Sequence, residues 1–259
     1  MADVTLSYKG SDILELSDSG SATLKTSGKY CEDDIAVEYV KPSSGGGEWT
    51  TDGIATNSEP SGDIIINVSE IAAYTFYYNS NITEVNCPTA RRVNNGAFSM
   101  CTAIEKVSFP NVQYIGNNAL RATKIKTIVL PDISTRMDGA VFETCSLLES
   151  ADFGVNSPQI ENLCFTGCSK LNTLILRKPS IVPMNRDSAF RNTPFSSGGA
   201  GGTIYIPKAL YDHLGDGTDL DYKSATNWSV YDGYGTITWA QIEGSYYETH
   251  YADGTEIPT

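Results

Sequence analysis

Through the middle of the chain, apolar and small side chains return to the same places about every 22 residues. One column is Phe76, Phe98, Leu120, Phe142, Phe165 and Phe190, with successive spacings of 22, 22, 22, 23 and 25. The residue before each is usually small: Thr75, Ala97, Ala119, Val141, Cys164 and Ala189. Three residues after come Asn79, Cys101, Thr123, Cys145, Cys168 and Thr193. Five before come Ile71, Val93, Ile115, Met137 and Ile160; six after come Ile82, Ile104, Leu148 and Leu171, with Ile125 one residue early. Columns that hold phase in this way are the mark of a stacked repeat.

One unit shows the local logic. In Ile104-Glu-Lys-Val107-Ser-Phe109-Pro110 the side chains alternate in and out, which predicts a short strand. Pro110, and Pro131 in the next unit, stop that strand because proline has no N–H to give a ladder. The Ala-Phe piece turns the chain back, with one helical turn expected there. A unit this short cannot bury its own apolar face, but stacked units can. Parallel strands roughly 4.8 Å apart would then form a continuous sheet. The expected fold is mainly β: a solenoid of about six 22–23-residue coils with short helical turns, spanning residues 49–207.

If the alternation is right, the outward strand positions are Glu84, Asn86, Lys106, Ser108, Thr127, Val129, Ser150, Asp152, Thr173 and Ile175. The last eight are the candidate ligand-binding face. Val129 and Ile175 would be apolar residues facing out, where a partner could dock unless another part of the chain covers them.

The same columns account for the cysteines. Cys101, Cys145 and Cys168 share their place with Asn and Thr, so the site calls for a small side chain with a donor for nearby backbone. Structural thiols are expected; a Cys145–Cys168 disulfide and a metal site at Cys164 and Cys168 are weaker alternatives.

The pattern Ile-Gly…Ala-Phe…Cys…Leu…Val…Pro, as in Val107 to Leu148, resembles the BspA-like, or treponemal-type, leucine-rich-repeat family over about residues 64–207. The resemblance implies a right-handed solenoid and says little about a ligand. Ile206-Pro207…Leu210…Tyr222…Trp228 resembles that family's C-terminal cap, here 208–259, with Leu214–Asp221 as an insertion. The loop Ser196–Gly202, with Gly198, Gly199, Gly201 and Gly202, departs from the pattern.

The two ends differ from the middle. Val4–Tyr8, Ile13–Leu16, Ala22–Leu24 and Ile35–Tyr39 alternate like strands, so 1–41 is expected to be a small β-module. Residues 42–48 form a Gly/Ser linker. The stretch from Leu24 to Val37 is similar to an N-terminal segment of tail- or baseplate-associated proteins of phages and prophages of gut Firmicutes, which implies an anchor ahead of the solenoid. Residues 236–259 are expected to form a terminal β-hairpin, with Asp253-Gly254 as its tight turn, either completing the cap or offering an aromatic contact surface.

Charge narrows the partners. The net charge of −13 comes from the ends: residues 1–40 hold 8 acids and 3 bases, and 203–259 hold 9 acids and 2 bases. Nucleic acid is a poor partner for such a surface. No run is long and apolar enough for a membrane-spanning helix, so membrane insertion is not expected. The start, Met1-Ala2-Asp3-Val4, lacks the features of a secretory signal. Asn67, Asn81 and Asn227 fit the glycosylation sequon, which matters only on a secretory route. No phosphate loop, dinucleotide fingerprint, nucleophile elbow or metalloprotease motif is present, and no enzyme activity or cofactor is expected. Asp212, Asp216, Asp219 and Asp221 are oxygen ligands suited to calcium but lack EF-hand spacing; Asp216, Asp219 and Asp221 remain a weak candidate. The expected function is non-catalytic binding of a protein or surface glycan, as a phage tail-associated protein or, alternatively, a bacterial surface adhesin.

Overall fold

The computed structural model describes residues 61–258, together with the backbone of three N-terminal strands. Those strands, Val4–Tyr8, Ser11–Leu16 and Ala22–Leu24, make an antiparallel sheet in that order. The expected fourth strand at Ile35–Tyr39 and the linker 42–48 lie outside the described residues.

From residue 62 the chain winds as a parallel β-solenoid. Its long-strand face is built from Gly62–Ile65, Ile82–Asn86, Lys106–Ser108, Thr127–Leu130, Ser150–Phe153, Thr173–Leu176, Gly202–Ile206 and Ile237–Gln241. Each of the first two strands pairs in parallel with the next, as does each strand from Thr127–Leu130 onward. Between the two runs the Lys124 N–H donates to the Ile104 carbonyl at 2.8 Å. A second, narrower face pairs Glu70–Ile71, Arg92–Val93, Tyr114–Ile115 and Arg136–Met137, and ends in a bridge from Ile160 to Met184. Strands rich in Val, Ile and Thr suit such half-buried ribbons. Their inward residues, including Val85, Ile128, Ala151, Leu174 and Ile204, are buried in one core.

The phenylalanine column is a single file. Phe76 stacks on Phe98 at 5.1 Å, Phe142 on Phe165 at 5.3 Å and Phe165 on Phe190 at 5.2 Å, with Leu120 filling the remaining place. Each buried ring is worth roughly 1.5–3 kcal/mol of transfer free energy, plus about 0.5–1.5 kcal/mol for each ring pair.

Among the described residues short helices are present only at Lys208–Tyr211 and Trp228–Asp232, with one 3-10 turn at Tyr246–Glu248. In the Ala-Phe pieces, where one helical turn was expected, the chain makes overlapping β-turns. Left-handed residues stand two before and two after the column residue: Tyr74 and Tyr78, Gly96 and Met100, Asn118 and Ala122, Ala140 and Thr144, Leu163 and Gly167. This alternation points every second peptide along the solenoid axis. The N–H groups of Gly96, Phe98 and Met100 donate to the carbonyls of Asn117, Ala119 and Arg121 in the next coil, each at 2.8 Å. A helical turn would spend those groups within its own coil. A non-glycine left-handed residue costs on the order of 1 kcal/mol, and a hydrogen bond left unmade in the interior costs as much or more. The ladder therefore decides the turn.

The donor column behaves as its composition implied. The Sγ atoms of Cys101, Cys145 and Cys168 lie 2.8, 3.1 and 3.0 Å from the carbonyls of Phe76, Leu120 and Phe142, one coil back. The Thr123 and Thr193 hydroxyls donate instead to Leu120 and Phe190 of their own coils, at 3.0 and 2.7 Å.

After Phe190 there is no further coil to accept the ladder, and cap side chains take its place. The Tyr231 hydroxyl accepts the Phe190 N–H at 3.1 Å and donates to the Asp187 carbonyl. The Tyr222 hydroxyl accepts from the Val182 N–H at 2.8 Å, while the Trp228 indole donates to the Val182 carbonyl at 2.8 Å. Asn227 Nδ2 donates to the Met184 carbonyl, so this sequon asparagine is already engaged. Trp228, Tyr222 and Tyr231 are fully buried, and Trp228 and Tyr231 pack on Phe190. An exposed end of a solenoid is both an apolar surface and a sheet edge; here three aromatic side chains and one amide close it.

Residues 236–241 do not pair with the residues that follow, as the expected hairpin over 236–259 required. Ile237–Gln241 adds to the long-strand face as its last parallel strand. The turn at Asp253-Gly254 does form, within a smaller hairpin. There His250 bridges Glu256, the Tyr251 N–H meets the Thr255 carbonyl at 2.8 Å, and the Ile257 N–H meets that of Thr249 at 2.9 Å. The glycine-rich loop 196–202 is a compact turn: the Gly199 N–H donates to Ser196 and the Gly201 N–H to Pro194. A side chain on Gly202 would come within 2.5 Å of the Asn172 carbonyl.

Candidate interaction surface

The strand register places all eight candidate residues on the outer side of the long-strand face. Lys106 and Ser108 follow Glu84 and Asn86. In the next coils Thr127, Ser150 and Thr173 form one row, continued by Thr203 and Thr238; Val129, Asp152 and Ile175 form the other, continued by Tyr205 and Ala240. The first row is a hydroxyl ladder, and Ser150 Oγ donates to Thr127 Oγ1 at 3.0 Å. Lys106 is exposed, and the glutamate one coil back holds its ammonium at 2.7 Å, an ion pair that pushes the lysine pKa up. Ser108, Thr127, Val129, Ser150 and Thr173 are half-buried.

Two of the eight are not available. Asp152 and Ile175 point away from the solenoid core, yet they are 1% and 0% exposed. The cause is the chain's own C-terminal segment. The Arg177 guanidinium grips Asp152 with Nε to Oδ1 and Nη2 to Oδ2, both at 2.7 Å. Its remaining donors reach the carbonyls of Tyr247 at 2.7 Å and His250 at 2.9 Å. The Ala252 N–H donates to Asp152 Oδ2 at 2.9 Å. The Tyr251 ring lies 5.2 Å from the guanidinium, and Tyr247 meets Tyr205 edge-on. Burial pushes the Asp152 carboxyl above its ordinary value, against the pull of Arg177 and the Ala252 N–H. The open part of the face thus runs from Glu84 to Val129, and the covered part centres on Asp152, Ile175 and Tyr205.

Between this segment and the turns that follow the strands lies a largely apolar cleft of about 450 Å³, walled by Pro131, Val155, Pro179, Pro207, Tyr251 and Ile257. Exposed aromatic side chains gather in two further places. Tyr74, Tyr77 and Tyr78 cluster on the first turn, and Tyr246 stacks on His250 at 4.3 Å.

The acidic loop does not gather its carboxylates around a common point. Both Asp221 oxygens face backbone N–H groups, of Gly215 at 2.8 Å, Gly217 at 3.1 Å and Lys223 at 2.8 Å. Burial opposes the charged form of Asp221, but these donors outweigh it and lower the pKa. The Thr218 N–H first, then His213 and the Thr218 hydroxyl, hold the Asp216 pKa at about 2. Asp219 joins neither group. Among the described residues no cluster of His, Cys, Asp or Glu is placed to hold a metal ion. Donors aimed at a carboxylate are what a brace needs, and Asp216 and Asp221 serve in this way within the loop, while Asp219 does not. Cys87, Cys101, Cys145, Cys164 and Cys168 are buried free thiols, without the disulfide considered for Cys145 and Cys168. Burial raises all of them, to about 12 for Cys101 and about 11 for Cys145, which keeps them protonated and unreactive.

Sequence columns alone did not bring out Arg177 or the covering segment. The signal was present: Arg177 continues the outward phase of Thr173 and Ile175, one coil beyond an acid in the same phase.

Residues 69–196 match a family model, the BspA type leucine rich repeat region, in six copies. This stretch is a BspA-type leucine-rich-repeat region. No curated protein matches the chain. Among solved structures, a leucine-rich repeat protein from Bacteroides ovatus ATCC 8483 is 19% identical with a TM-score of 0.48. The likeness covers 81% of this chain and 59% of that one, so this chain spans less than two thirds of its length. A leucine rich cell surface protein from Faecalibacterium prausnitzii A2-165 is 12% identical with a TM-score of 0.30, covering 95% of this chain and 96% of that one. Leucine-rich-repeat regions of this kind are generally non-enzymatic and mediate protein binding. Among the described residues no helix is long and apolar enough to cross a membrane.

Proposed function

We propose that this chain is a non-catalytic interaction module. Its leucine-rich-repeat region docks a protein or surface glycan on the open outer strands between Glu84 and Val129. One observation carries this reading: Glu84, Lys106, Ser108, Thr127 and Val129 lie on successive strands of the long-strand face, across the junction of its two paired runs, are half-buried to exposed, and mix charge, hydroxyl and apolar groups. Such a flat mixed surface suits a macromolecular partner better than a small molecule, which calls for an enclosing pocket. Display on a bacterial surface is the setting we favour. The alternative of phage tail association has only the Leu24–Val37 stretch in its support.

The purified full chain should bind immobilised extracellular matrix proteins or a glycan array, read by biolayer interferometry. Lys106→Glu with Val129→Lys should weaken that binding at least tenfold at unchanged thermal stability. Equal binding by this double variant would move the site elsewhere, and binding only to purified virion tail components would favour the alternative setting.

A further inference from the structure

The C-terminal segment covers the sheet without being buried itself. From Glu243 to Pro258 no residue is fully buried, whereas the Asp152 and Ile175 side chains beneath are. Its grip is made mainly by main-chain groups on one ion pair: two carbonyls to Arg177, one N–H to Asp152, and the Tyr251 ring beside the guanidinium. Gly244, at φ 77° with open space around it, begins the segment. Few buried apolar contacts and exposed backbone hydrogen bonds are the features of a low-stability unit that opens locally. The surface beneath is different. Arg177 and Asp152 lock each other through two hydrogen bonds; Asp152 stands on a strand, and Arg177 directly follows the strand paired with it, its N–H held by the Phe153 carbonyl at 3.1 Å, which favours a site that stays formed when the segment lifts.

Building on the interaction-module reading, we propose that the Arg177–Asp152 pair is a peptide-docking site that this chain fills with its own C-terminal segment. Its external ligand is a tyrosine-bearing turn segment of a partner protein. Recognition is by main chain: two carbonyls of one turn satisfy the outer guanidinium donors, and an N–H two residues beyond the second carbonyl caps the free lone pair of Asp152. A tyrosine between them lies beside the guanidinium, a contact worth roughly 0.5–2 kcal/mol. Tyr205 takes a second aromatic side chain edge-on, as it takes Tyr247 here. An arginine fork offers this pattern and a lysine does not, because only the fork holds a carboxylate and two further acceptors at once. The covering segment competes for the site at the high effective concentration of a tethered ligand, so the free protein presents it closed.

The test uses the full-length chain and a fluorescein-labelled peptide copying residues 244–258, with a scrambled peptide as control. Ala252→Pro removes the N–H given to Asp152 and leaves the receptor intact. Tyr251→Ala, which loosens the covering segment from the ring side, is the second opening variant. Either should bind the peptide at least tenfold more tightly than the unaltered chain by fluorescence polarisation. Adding Arg177→Lys to the opened chain should abolish that gain at a similar unfolding midpoint. Equal peptide binding by the opened and unaltered chains, or a gain that survives Arg177→Lys, would overturn the site. Neither result depends on Lys106 or Val129, so this proposal and the reading of the open strands fail separately.

Discussion

Arg177 and Asp152 stand on neighbouring coils, two residues out of register, and meet through two parallel hydrogen bonds of 2.7 Å on the outer side of the sheet. The arginine side chain is 9% exposed and the aspartate 1%. A buried pair on an outer face is unusual enough to ask what it holds, and the hydrogen-bond partners answer. Of the five hydrogen bonds described for these two side chains, two tie them to each other, two run to the Tyr247 and His250 carbonyls, and the fifth brings the Ala252 N–H to the carboxylate.

The pair should therefore show the asymmetry of a buried ion pair. Arg177→Ala alone leaves the Asp152 charge buried with a single N–H and should cost about 3–5 kcal/mol of stability. Replacing both residues, as Asp152→Leu with Arg177→Met, should cost clearly less than Arg177→Ala. Urea denaturation of the single and double variants measures this. A double variant whose loss is at least as large as that of Arg177→Ala would contradict it.

A second prediction concerns the closing of the solenoid. The Tyr231 hydroxyl takes the place of a coil that does not exist, since the corresponding N–H of Phe165 donates to the Ala189 carbonyl at 2.8 Å. Tyr231→Phe keeps the ring against Phe190 but leaves the Phe190 N–H and the Asp187 carbonyl without this partner. The expected cost is about 1–3 kcal/mol, against about 3–5 kcal/mol for Trp228→Ala, which empties a core position. Native-state hydrogen exchange should show the Phe190 amide losing protection in Tyr231→Phe while the amides of Phe98 and Leu120 keep theirs. Loss of protection along the whole column would mean that the cap and the coils unfold as one unit.

How much of this could be read from residues alone follows from what each feature depends on. The phenylalanine file and the donor column were legible because stacking copies one environment 22 or so residues later, so periodicity in the chain is periodicity in space. The form of the turn was not. Tyr74, Met100, Ala122, Thr144 and Leu163 adopt positive φ although none of them prefers it, because the inter-coil ladder requires it. The outward phase of Asp152 and Ile175 was also legible, but their cover was not. The Ala252–Asp152 contact joins residues 100 apart through a segment that lacks the repeat. No period links the two, and only the opposite charges of Asp152 and Arg177 hinted at a shared role.

The third prediction follows from the buried thiols. In the folded chain, burial holds Cys87, Cys101, Cys145, Cys164 and Cys168 above the ordinary thiol value, with Cys145 at about 11 and Cys101 at about 12. In the unfolded chain each returns to about 8.5. Between these values the folded state binds more protons than the unfolded one, so stability falls as pH rises. The thiol contribution is flat below about pH 8 and declines from about pH 9 upward, each thiol adding a slope of about 1.4 kcal/mol per pH unit once its unfolded form is ionised. Unfolding midpoints in urea between pH 7 and 10.5 should trace this decline. Cys145→Thr, which installs the side chain that Thr123 and Thr193 already use in that column, should reduce the slope by one thiol's share. At pH 8 a thiol reagent should leave these five cysteines unmodified in the native protein and reach them only after denaturant is added. Rapid labelling of Cys145 or Cys168 in the folded chain would show that the donor column opens to solvent and that its sulfurs are not sealed between coils.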